Sequence, residues 1–177
     1  MKLGLNRDEV RLEDHNKEWK SEFFNVKQDI LNNTSLKEAR IEHIGSTAIT
    51  DMPAKPIIDI IVGVDELDKV DKQLLKGLYQ AGFLRLKVER PGEIVLAKFT
   101  DDTYEIKTHY IHLVEYQQEL WNNLIFFRDY LNSNSDAKEE YLELKKEYIR
   151  KSTTGITEYT NHKEKFVKTI YEKRNIK

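Results

Sequence analysis

Apolar residues recur along this chain at two periods, and the switch between them near residue 117 divides it into two kinds of structure. Trp19, Phe23, Val26 and Ile30 fall at helical spacing. Asp14 suits the N-cap of that first helix and Asn32-Asn33 its end. Residues 38–44 alternate, with Ala39, Ile41 and His43 on one face and Arg40, Glu42 and Ile44 on the other, which predicts a strand. The segment from Ser46 to Pro56 has little regular pattern and reads as a loop. Residues 57–64 are almost continuously apolar, as expected of a central strand covered on both faces. Asp65 then suits the cap of a helix carrying Leu67, Val70, Leu74, Leu78 and Ala81, which stops at Gly82. Strands are predicted at 83–88, 93–99 and 104–114, an antiparallel run beside the central strand, with turns at Pro91-Gly92 and Thr100-Asp101-Asp102.

From residue 117 the spacing is helical throughout. Leu120, Leu124, Phe127 and Leu131 form one stripe that ends at Asn132-Ser133-Asn134. Ser135 suits the cap of the next helix, in which Tyr141, Leu144 and Tyr148 share a face. Thr153-Thr154-Gly155 breaks the pattern before a last helix marked by Tyr159, Phe166 and Ile170. With no repeat, low-complexity tract or linker, the expectation is one domain over 1–177. Its α/β core covers about 1–115 and an integral helical part about 116–177.

Composition narrows the function classes. Twenty-nine basic and 31 acidic side chains in 177 residues leave a formal net charge of −2. That balance argues against bulk electrostatic binding of nucleic acid or of an anionic membrane, while leaving room for a local basic pocket. No apolar stretch reaches the length of a membrane span. The chain has no cysteine, so disulfides, zinc-thiolate sites and thiol nucleophiles are out of reach. The expected compartment is the cytoplasm.

Candidate chemistry is concentrated in residues 43–63. Gly45 permits a sharp turn and close backbone approach to a ligand, and the N–H groups that follow, with the hydroxyls of Ser46 and Thr47, can cradle an anion. Asp59 interrupts an apolar strand, where an unpaired carboxylate is costly; a metal, Lys55 or a polar pocket would answer it. Lys55 can neutralise Asp59, meet a phosphate as a point charge, or do both. Alone, the Gly-Ser turn is equally a tight connection. His43 and His112 lie on predicted strands near Asp59, and the three would suit Zn²⁺, Mn²⁺ or Fe²⁺; the alternative is two half-buried histidines bonded to backbone or to Asp59. His109, three residues from His112, should face the other side. Glu93 and Glu105 are further carboxylates on predicted strands; either can serve as a third acid, while Glu105 beside Lys107 reads equally as a surface pair, and the sequence ranks neither higher. Arg128-Asp129 inside an apolar helix reads either as an inter-helix ion pair or as a fork for a phosphate or carboxylate, with Lys145, Tyr159 and Lys163 extending that wall.

The run His43-Ile44-Gly45-Ser46-Thr47, followed by Lys55-Pro56-Ile57-Ile58-Asp59, resembles the signature of the GrpB family, a nucleotidyltransferase-like group. The likeness extends to Trp19, His112-Leu113, Phe127-Arg128-Asp129-Tyr130-Leu131, Tyr141, Lys145, Tyr159-Thr160 and Lys163. It implies an α+β fold with a mixed, largely antiparallel sheet and flanking C-terminal helices. It also implies a nucleotide or other phosphate-bearing small molecule at Gly45, Ser46, Thr47, Arg128 and Lys145. Asp59 and Lys55 would then be catalytic, with Mg²⁺ or Mn²⁺ on Asp59. Nucleotidyltransferases supply an Asp-x-Asp pair on this strand, and here the second position is Ile61, which has no ligand atom. Some relatives are joined to a dephospho-coenzyme A kinase, which hints at nucleotide or coenzyme A metabolism. Two classes of function stay open: a nucleotidyltransferase, and a non-catalytic pocket on a degenerate fold of that kind. In either, Ser46, Lys55, Asp59 and His43 are expected to converge, with His112 nearby.

Overall fold

The computed structural model describes residues 1–6, 9, 11–151 and 156–175. Helix α1 (Glu18–Asn33) leads to β1 (Ile41–Ile44) and β2 (Ile58–Val64), then α2 (Lys72–Gln80). The chain continues through β3 (Leu84–Arg90), β4 (Glu93–Phe99) and β5 (Lys107–Glu115) into α3 (Glu119–Ser133), α4 (Ser135–Lys151) and α5 (Ile156–Arg174). The five strands form one sheet in the order β1-β2-β5-β4-β3. Only the β2–β5 pair is parallel, so the architecture is α+β with a mixed, largely antiparallel sheet.

The apolar run of β2 is explained by cover on both faces. Ile58, Ile60 and Val62 pack with Trp19, Phe23 and Ile30 of α1, with Leu78 of α2, and with Ile111 and Leu113 of β5. On the other face Ile44, Ile61 and Val114 pack against Trp121 of α3. A third cluster joins Phe127, Leu131, Tyr141, Phe166 and Ile170 of the three C-terminal helices to Ile49 and Met52 of the loop before β2. Those two loop residues are fully buried, so the loop is the seam through which the helices grip the sheet domain. Among the described residues no helix is long and apolar enough to cross a membrane.

Several local expectations shift. The first strand is shorter, because Glu38–Arg40 closes a 3-10 turn before β1. Asp65 caps nothing and pairs instead with Arg40 at 2.7 Å. A second 3-10 turn at Leu67–Lys69 intervenes, and Asp71 caps α2 by accepting the Leu74 N–H at 2.6 Å. At α1, the Asn16 side chain rather than Asp14 accepts the Glu18 N–H, at 2.9 Å. Asp71 stands in the extended backbone from which a short polar side chain caps a helix. The expected break at Thr153-Thr154-Gly155 lies outside the described residues, as do the side chains of Tyr159 and Thr160.

Candidate functional site

Pairing register decides which polar groups meet. Ile44 sits opposite Asp59, and Asp59 sits opposite Tyr110 of β5; Ile61 and His112 form the next pair. Alternate residues share a face, so Asp59, Tyr110 and His112 lie together on the side covered by the C-terminal helices. On β4, Val95 pairs with His112, which places Glu93 on the same face two residues away.

Gly45 makes the turn beside Asp59 possible. Its φ is +72°, and a Cβ there would lie 2.5 Å from Asp59 Oδ2, so any side chain would collide with the carboxylate. Ser46 follows in a short 3-10 turn and directs its hydroxyl towards the Tyr141 hydroxyl of α4 at 3.4 Å. Thr47 turns the other way, with its hydroxyl 2.9 Å from His43 Nε2.

Histidine 112 is tied at both ring nitrogens. Nδ1 donates to Glu93 Oε2 at 2.7 Å and Nε2 lies 3.5 Å from Asp59 Oδ1. Burial pulls the imidazole pKa down, but hydrogen bonds and charge from Asp59 and Glu93 outweigh it and raise it to about 9. His112 is therefore an imidazolium at neutral pH, clasped between carboxylates. Burial works against ionised Glu93, yet its bonds to His112 and Arg90 hold its pKa below the ordinary value. The Tyr110 phenol is pushed up by burial and by the Asp59 charge.

Three lysines stand around this group. Lys55, from the loop before β2, lies 5.6 Å above the Tyr148 ring of α4. Partial desolvation, then Lys163, lower its pKa, and the Asp59 charge opposes them. Lys145 of α4 is only 7% exposed, and its Nζ has no hydrogen-bond partner among the described residues. The ammonium lies 5.0 Å from the Tyr141 ring, and burial, then Lys163 of α5, bring its pKa down to about 7. Among the described residues no carboxylate charge acts on it to restore the proton.

The expected residues thus separate. Gly45, Ser46, Lys55, Asp59, His112 and Lys145 belong to one neighbourhood. His43 does not. It pairs with Ile60 and so faces the opposite side, stacked on Phe23 with centroids 4.9 Å apart. Burial above all drops its pKa to about 4, so it stays neutral. The expected convergence of His43 with Asp59 is corrected by register alone. Thr47 goes with His43. Arg128 is also spent elsewhere: its guanidinium bonds Glu42 and the His43 carbonyl, both at 2.8 Å, and Asp129 at 2.7 Å, clipping α3 to β1. His109 faces away from His112 as expected, buried beside Thr108 and Phe83. Tyr110 was overlooked; the signal was its place two residues before His112 on the same strand. Glu93 became distinguishable only through its bond to His112. A separate cavity of about 490 Å³, lined by residues that include Tyr130, Glu140, His162 and Phe166, shares no residue with this neighbourhood.

The donors do not fit a divalent ion. Ile61 is fully buried and has no ligand atom, His43 is across the sheet, and both His112 nitrogens are engaged. Asp59 alone remains, and one carboxylate holds Mg²⁺ weakly without further donors. Among the described residues no group of three His, Asp or Glu side chains is arranged for a metal.

Comparison with known proteins agrees with this fold. The profile of the family described as GrpB protein matches residues 9–173. The glutamate-rich protein GrpB of Alkalihalophilus pseudofirmus is 43% identical over 170 residues, covering 95% of this chain and 97% of that one. The crystal structure of conserved protein GrpB from Enterococcus faecalis superposes with a TM-score of 0.71 at 28% identity, over 92% of this chain and 96% of that chain. The Cid1 poly(U) polymerase, solved as a mutant bound to MgATP, superposes with a TM-score of 0.56 at 15% identity, over 81% of this chain and 46% of its own; that likeness is one of fold. On the family profile and the relative aligned over nearly its whole length, the chain belongs to the GrpB family.

Proposed function

We propose that this chain binds a nucleotide or another phosphate-bearing small molecule of the cytoplasm where the Gly45-Ser46 turn, Asp59 and the lysines of α4 and α5 meet. One observation carries the reading: the Lys145 ammonium is buried and, among the described residues, has neither a hydrogen bond nor a carboxylate partner. A buried unpaired cation costs several kcal/mol, and a phosphate oxygen would supply both the charge and the acceptor it lacks. The fold shared with nucleotidyltransferases supports a nucleotide as the ligand class, without deciding the chemistry.

Metal-assisted nucleotidyl transfer is the second reading. It is favoured by the part-exposed Asp59 beside the turn and opposed by Ile61. A thermal-shift screen separates ligand binding from its absence. Nucleoside di- and triphosphates, coenzyme A derivatives and inorganic polyphosphates should raise the melting temperature, and the parent nucleosides should not. If no phosphate compound at millimolar concentration shifts the transition, the binding reading is wrong. Release of pyrophosphate from a nucleoside triphosphate, abolished by Asp59→Asn, would promote the transfer reading.

A further inference from the structure

The cations of this region come from separate segments of the chain: His112 and Lys55 act with Asp59, and Lys145 is joined to the turn through Tyr141, which meets both it and Ser46. Lys55 belongs to the loop before β2, His112 to β5, Lys145 to α4 and Lys163 to α5. The Lys163 charge acts on both Lys55 and Lys145. The carboxylates are fewer. Asp59 acts on Lys55 but is already held at 3.5 Å by His112, and Glu93 is held by the same ring at 2.7 Å. Among the described residues nothing negative offsets Lys145: Tyr141 of its own helix lies beside it, and the charge that acts on it from α5 is that of Lys163.

We propose that this site holds its phosphates with protein cations in place of the divalent metal used by the fold's transferases, and that Lys145 takes up a proton when the phosphates arrive. The inference rests on the ligand-binding reading above and adds how the ligand is held. An ion on Asp59 would have to lodge beside the clasped imidazolium, with Ile61 where a second carboxylate would stand. Three lysines instead offer the charge that a di- or triphosphate requires, as compact donors on flexible stems. The proton uptake follows from burial. With its pKa near 7, Lys145 is about half deprotonated in the free protein at neutral pH, which relieves the cost of an unpaired charge. A phosphate beside it restores the ordinary preference for the ammonium.

Calorimetry with inorganic triphosphate and with ATP tests this in excess EDTA, in MgCl₂ and in MnCl₂, each in two buffers of different ionisation enthalpy. The expected result is binding in EDTA that Mg²⁺ and Mn²⁺ do not tighten. Uptake should be about half a proton per ligand at pH 7, disappearing in Lys145→Met. Lys145→Met should also weaken binding about ten- to hundredfold, the range for losing a hydrogen bond to a charged group. Lys163→Gln, at an exposed position where folding is not at risk, should weaken binding in the same direction. Binding that appears only with metal, or tightens about tenfold or more with it, overturns this inference and leaves the ligand-binding reading standing. Uptake unchanged in Lys145→Met removes the role of that lysine. No binding in any arm overturns both.

Discussion

Replacing Lys145 by Met should stabilise the protein while removing a ligand contact. The native pKa of about 7 lies far below the ordinary 10.5, so between those values the unfolded chain carries a proton that the native state does not. The native state is therefore penalised in full below about pH 7, and the penalty fades as pH climbs towards 10.5. At about 1.36 kcal/mol per pH unit, the displacement sets a ceiling of about 5 kcal/mol. Local relaxation and water entry reduce it, and about 2–3 kcal/mol is the working expectation. Met keeps the apolar stem beside Tyr141 and has no charge to bury. For a chain of this size the gain corresponds to a rise in melting temperature of roughly 4–12 °C. Calorimetric or circular-dichroism melts of both proteins from pH 6 to pH 10.5 measure it. The difference should be largest at the acidic end and shrink steadily above pH 7. A lower melting temperature for the variant at pH 6.5, or a gain independent of pH, would refute an unpaired buried ammonium at this position.

Other predictions rest on different parts of the structure. Burial holds His43 and His109 neutral, with pKa values near 4 and 3, so the unfolded chain binds more protons below about 6.5 and stability should fall as pH drops; the two together account for roughly 4 kcal/mol by pH 5, checked by urea unfolding, and His43→Gln with His109→Gln should flatten that slope. Asp59→Asn should lower the His112 pKa by about one unit in an NMR titration and cost only about 1 kcal/mol, because the carboxylate is 31% exposed and Glu93 keeps its hold; a loss above about 3 kcal/mol would mean that Asp59 is chiefly structural. Gly77→Ala should destabilise by about 2 kcal/mol or more despite Ala being the better helix former, because the new Cβ would collide with the Asn33 carbonyl oxygen; a stabilised variant in chemical denaturation would show that α1 and α2 are less tightly apposed.

The succession of elements was legible because it depends on local periodicity. The almost continuous apolar run at 58–64 requires cover on two faces wherever it lies, and Gly45-Ser46 requires a turn. Asp59 was conspicuous for the same reason, as the one carboxylate within that run. Caps were less legible: Asp65 and Asp71 are equally suitable by residue type, and the 3-10 turn at Leu67–Lys69, which delays the helix to Lys72, decides between them.

What only the tertiary structure decided was which groups share a space. His43 and Ile44 are adjacent in sequence, yet pairing of Ile44 with Asp59 sends His43 to the opposite face, out of any common site. Glu93 and His112 are 19 residues apart, and the antiparallel pairing of β4 with β5 joins them. Lys145 reads in sequence as an extension of a wall at Arg128; docking of α4 and α5 buries it away from Arg128 and, among the described residues, leaves its ammonium without a hydrogen bond. Strand register and helix docking are set by the summed packing of distant segments, so a one-residue change in pairing reverses a face while the local pattern stays the same.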